Sequence, residues 1–321
     1  MAAPPAVHMV DTMSTEATTM PFDEAVVGVD GRDGGRDAVA LAVALGAHRL
    51  TLAGAYAHEE DAAPSPTAGR YRQRLHDDMA RALEATKLQT GVAADVVALA
   101  DSSPARALHH VAQERHADLI VVGSAHRGPV GRMVLGDVSR GTIHDSPCPV
   151  AVAPHGYRRR PARAATIAVG YDGRPEAVAA LRLGAEIAAA TGAVLEVHVV
   201  WEGPTMAIAA MTYSTDLDEM MAEDKARAQR VLDDALAALP QATRGVLHHG
   251  SPRTQLEEVS AHADVLVLGS RGWGAVKRVA VGSTADYLLH HAGCPVIVVP
   301  RGAVVDASRE GKGDITTIAA R

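Results

Sequence analysis

The sequence predicts two tandem doubly wound α/β domains, and three observations carry that prediction. Two 17-residue stretches, "GSAHRGPVGRMVLGDVS" (123–139) and "GSRGWGAVKRVAVGSTA" (269–285), agree at six positions. The opening "AVVGVDG" (25–31) returns as "IAVGYDG" (167–173), "ADLIVVGS" (117–124) as "ADVLVLGS" (263–270), and "SPCPVAVAP" (146–154) as "AGCPVIVVP" (292–300). The copies lie 142 residues apart at the start and 146 later, so the chain is a duplication with small insertions. Within each copy, short β-branched runs without polar alternation are separated by helix-length segments. That is the pattern of parallel strands buried on both faces and joined by crossover helices.

The elements follow in order. The second copy predicts strands at 166–171, 194–200, 244–248, 264–268 and 295–299, with helices near 175–191, 216–239, 252–262 and 283–292. Ser103-Pro104 and Ser251-Pro252 each set a capping serine before a proline at the first helical position. Gly293 is placed to end the last helix in a left-handed conformation. In that helix Ala285, Leu288, Leu289 and Ala292 form a stripe that should face the sheet. At 321 residues the chain suits two domains of ~150 residues. We place them at 23–154 and 164–301, with tails at 1–22 and 302–321 and a linker at 155–163. The basic run Arg158–Arg163 in that linker is expected to be solvated.

Composition excludes several classes of function. The net charge of −7 argues against a nucleic-acid surface. No apolar run approaches ~18 residues, so no membrane span is expected. The first 22 residues lack the pattern of a signal peptide, and two cysteines without metal spacing suit a reducing compartment, so a cytoplasmic protein is expected. Cys148 and Cys294 read as small packed side chains. The paired histidines His109-His110, His248-His249 and His290-His291 cannot share one face and have no acidic partners in sequence, so they read as solvated or cap-side. His198 is expected to be buried within the sheet, with an approach to the edge of a bound ligand as the lesser alternative. Residues 202–215, with methionines around them, suit a flap or insertion.

The glycine loops carry the chemistry. Gly269 follows a predicted strand, Gly272 comes three residues on, and after nine intervening residues Gly282-Ser283 opens a helix. A helix N-terminus offers free N–H groups and a partial positive charge, which suits an anion. Glycines let the backbone approach it closely. Ser283 and Thr284 add hydroxyl donors, and Arg271, Lys277 and Arg278 add charge. The alternative is structural: Ser283 with Asp286 can form a capping box and need no ligand. Asp172 ends the first strand of the second copy, where ligands of open α/β sheets lodge, and can equally serve as a turn cap.

Gly-x-x-Gly-x9-Gly-Ser, "VGYDG", "VHVV" (197–200) and "CPVIVVP" together resemble the universal stress protein family across nearly all of both copies. The resemblance implies a five-stranded parallel sheet in order 3-2-1-4-5 and, in one branch of the family, ATP in the crevice. It implies that Gly170 and Asp172 lie by the adenosine and Val199 against the base. Gly269, Arg271, Gly272, Gly282, Ser283 and Thr284 would hold the ribose and phosphates, with Mg2+ as a candidate companion ion. It also implies that the two "CPV" strands pair within the chain, and a homodimer is compatible with it.

The first copy departs from this pattern. Gly123 and Gly136 are kept, but His126 stands for the second glycine and Asp137 for the serine, while Asp30 matches Asp172. A carboxylate ~5 Å from a phosphate charge costs about 3 kcal/mol at an effective dielectric of ~20. ATP binding is therefore expected mainly in the second domain, with a weak or altered first site. The leading function is a nucleotide-dependent stress-response regulator. An interaction scaffold or a weak ATPase are the alternatives, and an adenylyl-transferring enzyme ranks below them. No catalytic base or arginine finger can be named, so any hydrolysis would be slow.

Overall fold

The structure is a computed structural model that describes residues 20–57, 66–124, 135–160, 163–203, 214–240, 242–270 and 282–300. The first half runs β1 (Phe22–Gly28), α1 (Asp33–Ala44), β2 (Ala47–Tyr56), α2 (Pro66–Thr90), β3 (Asp95–Ala100), α3 (Pro104–Glu114), β4 (Leu119–Gly123), α4 (Asp137–Ile143) and β5 (Val150–Ala153). A 3-10 turn at Tyr157–Arg159 leads to β6 (Thr166–Tyr171), α5 (Pro175–Thr191), β7 (Val194–Trp201) and α6 (Ser214–Ala237). Then follow β8 (Arg244–His249), α7 (Pro252–Ser260), β9 (Val265–Gly269), α8 (Ser283–His291) and β10 (Val296–Val299).

The strands form one ten-stranded sheet in the order β3-β2-β1-β4-β5-β10-β9-β6-β7-β8. Each half is parallel and has the order 3-2-1-4-5. The halves join where β5 and β10 pair antiparallel, with Ile297 opposite Ala151. Each "CPV" strand thus covers the edge that the other would expose.

Alternate residues feed two cores, one per face. Val27, Leu52, Val169 and Val197 pack under α1, α2, α5 and α6, whereas Val26, Ile120, Ala168 and Leu266 pack under α3, α4, α7 and α8. The predicted stripe of Ala285, Leu288, Leu289 and Ala292 is buried in the second core. Cys148 and Cys294 lie there too, and burial pushes both thiols up to about 12.

Three local expectations need correction. The linker, expected to be solvated, is docked in the part described. Tyr157 is buried, and Asp37, itself fully buried, accepts hydrogen bonds from the Gly156 and Arg158 amides at 2.7 and 3.0 Å. Arg158 adds ion pairs to Asp37 and Asp33 at 3.2 Å, and Arg160 donates to the Gly293 carbonyl at 2.7 Å. A buried carboxylate needs such partners, and the basic run supplies them. Gly293 is not left-handed: α8 ends at Ala292 in an extended conformation (φ −63°, ψ 143°). The constraint on Gly293 is closeness instead, since a Cβ there would lie 3.2 Å from the Ser260 carbonyl. Ser251 occupies the cap position of α7 but makes no side-chain cap bond, whereas the Ser103 hydroxyl accepts from the Arg106 amide at 3.4 Å.

Candidate functional site

The site in the second half forms where the chain turns opposite ways. From β6 it passes into α5 on one face of the sheet, and from the neighbouring β9 into α8 on the other. Strand order reverses between them, so the carboxyl ends of β6 and β9 border an open crevice. A cavity of about 80 Å³ lies there, small beside the ~300–1,000 Å³ usual for small-molecule sites.

Each wall has a local cause. After β6, the Asp172 carboxylate accepts from the Arg174 amide at 3.2 Å and Gly173 takes φ +76°, a tight turn that carries the chain into α5. Arg174 also pairs with Asp172 at 3.7 Å. Both residues line the cavity with Gly170, Glu176 and Ala177. From β7 come His198 and Val200, from α7 Pro252 and Leu256, and from β9 Leu268 and Gly269. Gly282, Thr284 and Ala285 close it at the start of α8. The cap residue of α8 is Gly282, with φ −64° and ψ 150°, and no side chain caps it. Ser283 is thus the first helical residue rather than the cap, so the capping-box alternative does not describe this end. The cap residue thus supplies no side-chain acceptor to the first amides of α8, which lie beside the cavity.

The predicted residues sort cleanly by place. Gly170, Asp172, Gly269, Gly282 and Thr284 all border the cavity. Ser283 sits at its helix-end rim and is exposed. Arg271 and Gly272, like Lys277, Arg278 and most of the 202–215 segment, lie outside the described residues. The Val199 side chain is buried in the core beneath α5 and α6, and its neighbours His198 and Val200 face the cavity instead. Period-two alternation decides this: Gly170 pairs with His198, so the crevice face takes the even-numbered residues of β7.

His198, expected within the sheet, is buried there and lines the cavity as well. It is 4% exposed, its Nδ1 lies 2.9 Å from His248 Nε2, and its Nε2 lies 3.4 Å from Glu196. His248 therefore meets a partner across two strands that no spacing in sequence shows. Burial, then the neighbouring His248, lowers the His198 pKa to about 4, although Glu196 pulls the other way. Among the described residues no three His, Cys, Asp or Glu side chains are grouped to hold a metal.

The first half has a matching crevice of about 520 Å³. Asp30, Gly123, Gly136 and Asp137 line it, while His126 lies outside the described residues. Asp30 repeats the turn of Asp172, accepting from the Arg32 amide at 3.0 Å.

Two doubly wound domains fused edge to edge, each with an open crevice at its switch point, define the class of the protein. The family model described as "Universal stress protein family" matches twice, at residues 21–154 and 164–300, and the chain belongs to that family. A universal stress protein of Mycobacterium tuberculosis is 30% identical over 204 residues, covering 61% of this chain and 66% of the relative. A second from the same organism is 24% identical over 243 residues, covering 74% and 79%. The crystal structure of a universal stress protein from Archaeoglobus fulgidus aligns with 87% of this chain and 98% of its own, with a TM-score of 0.58 at 19% identity, a likeness of fold.

Proposed function

We propose that the chain binds ATP in the crevice of its second half and acts as a nucleotide-dependent regulator of the stress response in the cytoplasm. The observation that supports this most is the start of α8. Its uncapped amides open onto the same cavity as Asp172 and an apolar wall of Val200, Leu256 and Leu268. An apolar slot for a base beside an anion-attracting helix end is the chemistry a nucleotide needs.

In this reading Gly170 and Asp172 lie by the nucleoside, and Val199 contributes through its main chain alone. Gly269, Gly282, Ser283 and Thr284 serve the ribose and phosphates, with Arg271 and Gly272 assigned by family resemblance. Bound ATP would supply charge for the α8 amides to grip. Occupancy rather than turnover would be the signal. The first half, with Asp137 in place of Ser283, would bind ATP weakly.

The test is to denature the purified protein, identify any released nucleotide, and titrate ATP into wild type and into the Gly282→Val/Ser283→Ala double variant. Loss of charge-assisted bonds should weaken binding on the order of a hundredfold while the fold persists. Wild type that takes no ATP would leave the scaffold reading, which the continuous ten-stranded sheet also serves.

A further inference from the structure

We propose that the crevice of the first half is a site for an uncharged, phosphate-free ligand of nucleoside size or larger. This rests on reading the two crevices as nucleoside sites. Strand register identifies what has changed. Gly28 pairs with Ala53 where Gly170 pairs with His198, so Ala53, Gly54 and Ala55 replace His198, Val199 and Val200. One strand further out, Leu99 opposite Ala55 replaces His248 opposite Val200. The polar, space-filling wall of the second crevice is thereby exchanged for small and apolar side chains. With this exchange goes the larger cavity, about 520 against 80 Å³, with Val29, Leu108 and Val122 among its walls.

Its charges oppose a phosphate. Asp137, which has no counterpart carboxylate in the second half, opens α4, a helix of only seven residues, and lines the cavity together with Asp30. Arg32 is the cation that lines it among the described residues, and it lies 3.8 Å from Asp30. A polar group is available for a neutral ligand: Ser124 lines the cavity, is 4% exposed, and its Oγ has no hydrogen-bond partner among the described residues. Buried hydroxyls rarely stay so. The Ser139 hydroxyl, by contrast, already donates to the Gly123 carbonyl at 2.9 Å.

Adenosine and ATP are the probes, titrated by calorimetry into the full chain carrying Gly282→Val/Ser283→Ala. Adenosine should bind, with ATP at least about tenfold weaker, the expected effect of a nearby carboxylate even when half screened. Adding Asp137→Ser should shift the ATP-to-adenosine preference about tenfold towards ATP. Ser124→Ala should weaken adenosine about fivefold, the worth of one hydrogen bond, while Ser270→Ala at the matching place in the second half should not. Equal or tighter ATP binding in this background, no adenosine binding, or dependence on Ser270 instead of Ser124 would overturn the proposal. Failure of the ATP assignment is separate, because it appears in wild type as no ATP uptake sensitive to Gly282→Val/Ser283→Ala.

Discussion

Gly123 and Gly269 occupy the same point in the two halves, and the same kind of neighbour pins each. A Cβ on Gly269 would lie 2.5 Å from the Glu176 carbonyl carbon, and one on Gly123 would overlap the Gly34 carbonyl. In both cases the helix after the first strand crosses directly over the end of the fourth. These glycines stay in register because the backbones touch there, whether or not a ligand binds. Other matched positions behave differently. Thr284 against Val138, and His198 against Ala53, touch the cavities and have diverged. Shared glycines thus report the frame, and the residues around them report the ligand.

The largest expected effect tests the shared part. Gly269→Ala and Gly123→Ala should each destabilise the chain by about 3 kcal/mol, through overpacking against main chain that cannot yield. Denaturant midpoints would check it, and a tolerated substitution in one half alone would break the equivalence. Next comes the linker clasp, which has no twin: the repeat offset puts Ala179 where α1 has Asp37. Asp37→Ala should cost about 2 kcal/mol by leaving Arg158 and two amides short of their acceptor. It should also make the linker more sensitive to limited proteolysis.

A pH effect distinguishes the halves further. His198 has a folded pKa near 4, below its ordinary value of 6.5, so the unfolded state binds more protons between these limits. Stability contributed by neutral His198 is complete above pH ~6.5 and is lost as pH falls towards ~4. His198→Ala, the first-half residue at this position, should flatten the acid limb of the stability curve over that window. An unchanged slope would show that the pair titrates alike in both states. The smallest effect concerns the caps. Ser103→Ala should cost about 1 kcal/mol, and Ser251→Ala a few tenths, because only Ser103 caps with its side chain.

Much of the frame was legible because parallel strands are uniformly apolar and the duplication let each copy check the other. The strand ends followed, and with them Gly170, Asp172, Gly269 and Gly282. Side-chain direction was harder. A run such as "VHVV" is apolar on both faces, so nothing local distinguishes Val199 from His198, and the pairing register decides it. The His198–His248 contact and the Asp37–Arg158 clasp join residues 50 and 121 apart. Neither has a periodic signature, since each arises only after sheet and linker are folded. Gly293 misled for a related reason: a glycine after a helix usually relieves a turn, but here it makes room for α7.

The most direct test of the central claim is the stoichiometry of ATP binding to wild-type chain by calorimetry, with the bound nucleotide confirmed after denaturation. One ATP per chain, abolished by Gly282→Val/Ser283→Ala, is the predicted result. Two equivalent ATP sites, or one that survives the double variant, would contradict it.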